Sequence, residues 1–528
     1  MTPSEAEVFV PEVRRYNGTA ITKHKWYGAK KGVSVKYKWK TRPYKHQVEA
    51  IFKLMETGFG GALLMEPRTG KTKTVIDYAS IMYTAGKVER MVIFCPVSVL
   101  GVWEDQFAMH CPVPYRITVW DRKARKTQGL PGFKPGILDV IILNYDALST
   151  PGASYTNKDG YTVRSKRRGG RFDVYKALES WAPHLIALDE SHRIKTATAK
   201  KTSLIIKLGK IADYRVIMTG TVVTKKKRMH DVWAQWQFLN PERFQMSHAE
   251  FKNHYGRFVA LGGYSKWLAN QNTSVLHQEI HQDAYAITRA ECFDLPPRLD
   301  NQLVYVDLEE SRTAYEDMAQ HMIHMIENGE VTQASLAITQ TLRLRQIASG
   351  VAKTDPTDEY PKGRLHRVGQ EKLDAIEDIL TDIYEAGEKV VIAAQFTHDI
   401  KAVETICQRL GMRTYLLYGA IPRHERDRNI KSFRDRDQPA AFIMQPQAGS
   451  LGIDLSTAGT FIWFSLTHSY VDYTQAEDRI ALNQRGTRYI YMIARDTVDE
   501  AIYHTLQGDG DVARAIMASP RLLLGNRG

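Results

Sequence analysis

Cysteine is scarce. The 528 residues hold four, Cys95, Cys111, Cys292 and Cys407. None lies close enough to another for the paired spacing of a local zinc site, and four cannot build a disulfide framework in so long a chain. A reducing cytosol is expected. Long hydrophobic runs are lacking too: no stretch approaches the ~18 apolar residues that a membrane helix needs. The first residues, MTPSEAEVFVPEVRRYNG, have no apolar stretch of the secretory kind. No membrane partner is expected, and the chain should stay in the compartment where it is made. Acidic residues are the minority, 59 against 72 lysines and arginines, for a net charge of +13. That surplus favours polyanions.

Apolar residues come instead in short, unalternating runs: 61–65, 91–95, 139–143, 185–189 and 215–218, then 390–394, 440–444, 460–464 and 489–493. Continuous runs bounded by turns suit strands buried on both faces, as in parallel sheets. Helical spacing separates them. TVIDYASIMYTAG follows Lys73 and closes on Gly86, while Leu373, Ile376, Leu380 and Ile383 share one face. The alternation implies two α/β lobes, with the helices of 311–329 and 334–350 as an insertion. Basic clusters fall outside the runs. One, 23–42, interleaves lysines with Trp26, Tyr27, Tyr37 and Trp39; another, 157–172, carries Lys166, Arg167, Arg168 and Arg171. Each reads either as a solvated surface or as a surface that tracks a nucleic-acid backbone and stacks bases.

Gly70-Lys71-Thr72 sits after a buried strand and before a helix, the context of a phosphate-binding loop. Backbone N–H groups there can cradle phosphate oxygens. Lys71 would reach the terminal phosphates, and the Thr72 hydroxyl would face Mg2+. LIALDESH runs from a second buried strand into Asp189 and Glu190. Asp189 fits the metal side, and Glu190 can take a proton from attacking water. Arg68, Thr69 and Lys73 complete the set of loop candidates for nucleotide binding.

Taken in order, these segments resemble the SWI/SNF-type ATPases of helicase superfamily 2. TRPYKHQ (41–47) resembles the segment whose glutamine, here Gln47, reads adenine. MEPRTGKT resembles motif I, 92–112 motif Ia, DESHRIK motif II, and MTGTVV motif III. Residues 387–400 resemble motif IV, and 448–479 motifs V and VI, with Gln475, Asp478 and Arg479 matching. The likeness covers about 41–505. It implies two RecA-like parallel-sheet lobes with helical insertions, ATP and Mg2+ as cofactors, and double-stranded DNA as partner. It also implies a motif VI arginine that stabilises charge on the phosphoryl group. The compact form resembles those of phages and prokaryotes, hence a cytoplasmic location.

This chain departs from that pattern in places. Arg68 and Val222 replace a glycine and a proline. Leu482 stands where the second motif VI arginine belongs; either Arg485, three residues on, substitutes for it if the helix ends early, as Gly486 suggests, or Arg485 is a surface residue and Arg479 alone serves from this motif. The expected division is a basic arm (1–40), a first lobe (41–245), a helical connection (246–300), a second lobe (301–510, with an insertion at 309–350) and a tail (511–528). The expected function is ATP-driven translocation on duplex DNA. The alternatives are a strand-separating or branch-migrating helicase, a nucleic-acid-binding module with a decayed ATPase, and a small-molecule P-loop kinase.

Overall fold

The computed structural model describes residues 5–11, 32–120, 132–149, 154–156, 162–164, 174–220, 229–261, 264–293, 299–328, 334–354, 363–436, 438–447, 453–483, 486–508 and 523. The chain divides into two compact units, 1–293 and 294–528.

The first unit is built on a seven-stranded sheet. Its order is Ala284–Ile287, Gly60–Met65, Tyr214–Met218, Leu185–Asp189, Arg90–Cys95, Leu138–Asn144 and Tyr115–Trp120, and every pairing is parallel. After Gly60–Met65 the chain forms the helix Lys71–Thr84 and continues into Arg90–Cys95, passing over two intervening strands. The carboxyl ends of those strands therefore lie side by side at a topological switch point, where α/β sheets hold ligands. Register confirms the alignment: Met218 pairs with Leu63 and also with Asp189.

The second unit carries a six-stranded parallel sheet: Gln302–Val306, Arg488–Ala494, Thr460–Trp463, Lys389–Ala393, Ala440–Met444 and Arg413–Leu417. Helices Arg312–Glu327 and Ala334–Ala348 occupy the expected insertion. All nine apolar runs are strands. The four strands of these two sheets outside those runs, Tyr115–Trp120, Ala284–Ile287, Gln302–Val306 and Arg413–Leu417, are the sheet edges. An edge is only partly covered, so its sequence carries less continuous apolar character. The described side chains of these four are largely half-buried or exposed.

Two segments differ from expectation. The basic arm is in part a β-hairpin, Glu5–Pro11 against Gly32–Lys38, antiparallel. Side chains alternate along a strand, so Val8, Val10, Val35, Tyr37 and Trp39 enter the core of the first unit while Lys36, Lys38 and Lys40 stay outside. Tyr37 and Trp39 are thus core residues, not an exposed stacking surface; Trp26 and Tyr27 lie outside the described residues. The segment 246–300, expected to be a helical connection, carries helices His248–Tyr255 and Thr273–Gln282. It also carries a hairpin, Gly256–Leu261 with Tyr264–Asn270, and an edge strand of the first sheet.

Candidate nucleotide site

Gly70 opens the Lys71–Thr84 helix in the left-handed conformation, φ 89°, which glycine alone adopts freely. A Cβ there would lie 2.0 Å from Gln47 Nε2. Gly70 has no side chain to cap this helix, and the N–H groups of a helix's first turn suit an anion. Arg68 is also left-handed, φ 70°. This is the position where the resembled family has glycine, and an arginine there holds the loop in mild strain.

Lys71 Nζ donates to the carbonyls of Met65 (2.6 Å) and Glu66 (3.1 Å). Its charge also acts on both acids at the end of the Leu185–Asp189 strand. Lys71, Asp189 and Glu190 are thereby brought together. Burial, with the neighbouring Glu190 charge, pushes the Asp189 carboxyl up to about 6, against the pull of Trp103 and Lys71. Trp103 Nε1 donates to Asp189 Oδ2 at 3.1 Å, and the Tyr145 hydroxyl donates to the Asp189 carbonyl at 2.7 Å. For Glu190 burial is outweighed by His192, Lys71 and Arg193, so its carboxyl lies below the usual range. His192 Nδ1 lies 3.3 Å from Glu190 Oε2. Glu190 itself is left-handed, φ 54°, a conformation that neighbouring structure must hold in place. The Ser191 hydroxyl helps, donating at 2.6 Å to Gln235 Oε1 on the Val232–Leu239 helix.

Other candidates are placed differently. Gln47 is buried, and its amide is engaged on both sides: Oε1 accepts from Tyr44 N–H (3.0 Å) and Nε2 donates to Thr69 O (3.2 Å). His46 Nε2 bonds the same carbonyl at 2.8 Å. The two residues brace the loop from behind. Thr69 is buried, and its hydroxyl donates to Glu66 O at 2.8 Å. Thr72 is the second residue of the helix and half-buried. Lys73 turns away from the loop: its Nζ donates to Asp77 Oδ2 at 2.6 Å and to Thr41 O at 3.0 Å.

In the second unit the helix Tyr470–Glu477 stops before Arg479, earlier than a helix through 482. Gly486 is left-handed, φ 94°, but lies nine residues beyond Glu477, so it is not the residue that ends this helix. Arg479 is 4% exposed. Its Nε donates to Gln475 O (2.6 Å) and its Nη1 to Ile453 O (3.3 Å). Arg485, Val222, Lys166, Arg167, Arg168 and Arg171 lie outside the described residues. Trp103 and His192 lie within the segments that resemble motifs Ia and II, but the sequence assigns them no contact there, and it assigns Tyr145 and His46 no role. Trp103, Tyr145 and His46 meet partners 86, 44 and 23 positions away, which no local pattern announces.

A nucleotide with Mg2+ fits this donor set. A cation and two acids meet at an uncapped helix N-terminus. Among the described residues no group of three or more His, Cys, Asp or Glu side chains could hold a metal alone. A Mg2+ ion characteristically completes its shell with water and substrate phosphate.

Residues 43–350 match the SNF2-related domain, and residues 371–482 match the helicase conserved C-terminal domain. The chain is 23% identical over 494 residues to the Saccharomyces cerevisiae transcription regulatory protein SNF2, covering 88% of this chain and 27% of that protein. It is 23% identical over 474 residues to the Arabidopsis thaliana ISWI chromatin-remodeling complex ATPase CHR17, covering 85% of this chain and 40% of that one. The chain thus spans well under half the length of these two relatives. Among solved structures, the Sulfolobus solfataricus SWI2/SNF2 ATPase core in complex with dsDNA is similar with a TM-score of 0.40 and 20% identity, covering 92% of this chain and 94% of that one.

Proposed function

The chain belongs to the SNF2-related family, and from that premise we propose that it hydrolyses ATP to move along double-stranded DNA. One observation carries the ATPase part: Lys71, Asp189 and Glu190 converge at the carboxyl edge of a parallel sheet, beside an uncapped helix N-terminus. The Lys71 ammonium, seated on two loop carbonyls, would exchange them for phosphate oxygens. Thr72 and Asp189 would hold Mg2+, which supplies charge neutralisation at the phosphates. Glu190, kept ionised by the cations around it, is suited to accept a proton from attacking water. Gln47 supports the loop through Thr69 and Tyr44, in addition to any contact with the base. Arg479 of the second unit is the motif VI cation.

The DNA part rests on the family, whose matched members include an ATPase named as chromatin-remodeling, and on the +13 net charge. Two variants test the site. Lys71→Ala should fold and lose hydrolysis. Glu190→Gln keeps size and hydrogen bonding, so it should still bind ATP while turnover collapses. Normal turnover in a folded Glu190→Gln protein would remove Glu190 from the role of base.

A further inference from the structure

The carboxylate of Glu477 stands where electrostatics disfavours one. It is 5% exposed and is the last residue of its helix. A helix carboxyl end carries partial negative charge, and burial penalises an unpaired carboxylate. Another acid, Asp478, follows directly. A side chain retained against these costs is held by specific partners.

Those partners come from several elements of the second unit. Trp463 Nε1, on the Thr460–Trp463 strand, donates to Glu477 Oε1 at 3.1 Å. The Tyr491 hydroxyl, on the Arg488–Ala494 strand, donates to the same oxygen. Tyr491 and Tyr473 hydroxyls lie 2.8 Å apart, and Gln507 Nε2 donates to Tyr473 at 3.0 Å. The Tyr489 hydroxyl donates to the Glu477 carbonyl at 3.2 Å. Burial and the Glu477 charge push the Tyr491 phenol far above its ordinary value, so it remains a donor.

Two residues later the chain is fixed from another side. Arg479 N–H donates to Ala476 O at 3.1 Å, and its carbonyl accepts from Leu455 N–H at 3.0 Å. Its guanidinium bonds the Gln475 and Ile453 carbonyls. The turn that carries Arg479 thus hangs between the Glu477 anchor and the 453–455 segment.

We propose that Glu477 is a positioning residue: its anchored carboxylate fixes the end of the motif VI helix and so the aim of Arg479. This rests on the proposed ATPase reading. A well-packed apolar residue would serve stability equally or better; the polar anchor serves placement.

A double-mutant cycle on the full chain tests it, using Arg479→Ala, Glu477→Ala, their combination, and Glu477→Gln. Glu477→Ala should lower DNA-stimulated kcat on the order of 10–100-fold, the scale of supporting-shell losses, with KM for ATP little changed. Glu477→Gln still accepts hydrogen bonds from Trp463 and Tyr491, so it should recover most of the rate. In the Arg479→Ala background, Glu477→Ala should cost nothing further. Tyr491→Phe removes one donor without emptying the site; it should show the same dependence on Arg479 at smaller size, and it decides the matter if Glu477→Ala does not fold. An equal loss with and without Arg479 would make the anchor merely structural and overturn the proposal, as would a full rate in both Glu477→Ala and Tyr491→Phe. A full rate in Arg479→Ala alone would instead overturn the role given to the motif VI arginine, and this proposal with it.

Discussion

Asp189 and Glu190 are neighbours with opposite proton affinities. Asp189 is pushed up to about 6 by burial and by the Glu190 charge, whereas cations around Glu190 hold it down. Environments that separate two carboxyls in this way divide the labour between them. The sign for stability follows. Asp189 binds its proton more tightly folded than unfolded, so the stability it contributes is complete below the ordinary value of 3.8 and is lost as pH rises through about 6. The folded chain accepts that cost at neutral pH, with the acid held near Lys71. For activity, the acid limb should fall as Asp189 takes its proton, near pH 6. Trp103→Phe removes the indole donor that lowers Asp189. The limb should therefore move to higher pH in a pH–rate profile, and an unmoved limb would show that the indole does not set this titration. Lys71, Asp189 and Glu190 were legible in the sequence because each lies within a few residues of the strand that announces it. Trp103 was not, since it meets Asp189 from 86 positions away. Nor was the inward use of Lys73, because a lysine one turn before an aspartate reads equally well as a surface pair.

At the scale of elements, the N-terminal hairpin shows how one pattern serves two surfaces. Aromatics interleaved with lysines suit a nucleic-acid platform, and they equally suit a strand with one face in the core. The structure takes the second course over Gly32–Lys38 and Trp39. The Tyr37 hydroxyl donates to Asp77 Oδ1 at 3.0 Å, and Lys73 Nζ lies 5.6 Å from the Trp39 ring centroid. Asp77, raised to about 6 by burial despite Lys73, is the shared partner that fastens the hairpin to the phosphate-loop helix. Tyr37→Phe should thus cost about 1–3 kcal/mol, the range for orphaning a buried polar group. This is measurable as a lower urea midpoint, while the salt dependence of DNA binding should be unchanged. A flatter salt slope with an unchanged midpoint would return Tyr37 to the binding surface. The motif VI helix likewise ends at Glu477. Its stop was not legible: Gly486 lies nine residues beyond it, and the buried Glu477 depends on a tyrosine and a tryptophan of other elements.

Across the whole molecule, the interior strands were legible and the edges were not. Burial on both faces leaves continuous apolar runs, whereas edge strands such as Arg413–Leu417 keep exposed positions. The same reason hid Ala284–Ile287, which carries the first unit's sheet to 287 and its boundary to 293. The +13 charge concerns partners and not the fold. The central claim joins the two levels: a phosphate site of this geometry, in a basic chain of this family, should hydrolyse ATP in response to DNA. The most direct test is the ATP hydrolysis rate of the full chain without nucleic acid and with single-stranded DNA, duplex DNA or RNA, with Lys71→Ala run alongside. The expected result is a rate raised most by duplex DNA and abolished in Lys71→Ala. Equal rates under all four conditions, or a rate indifferent to Lys71, would contradict it.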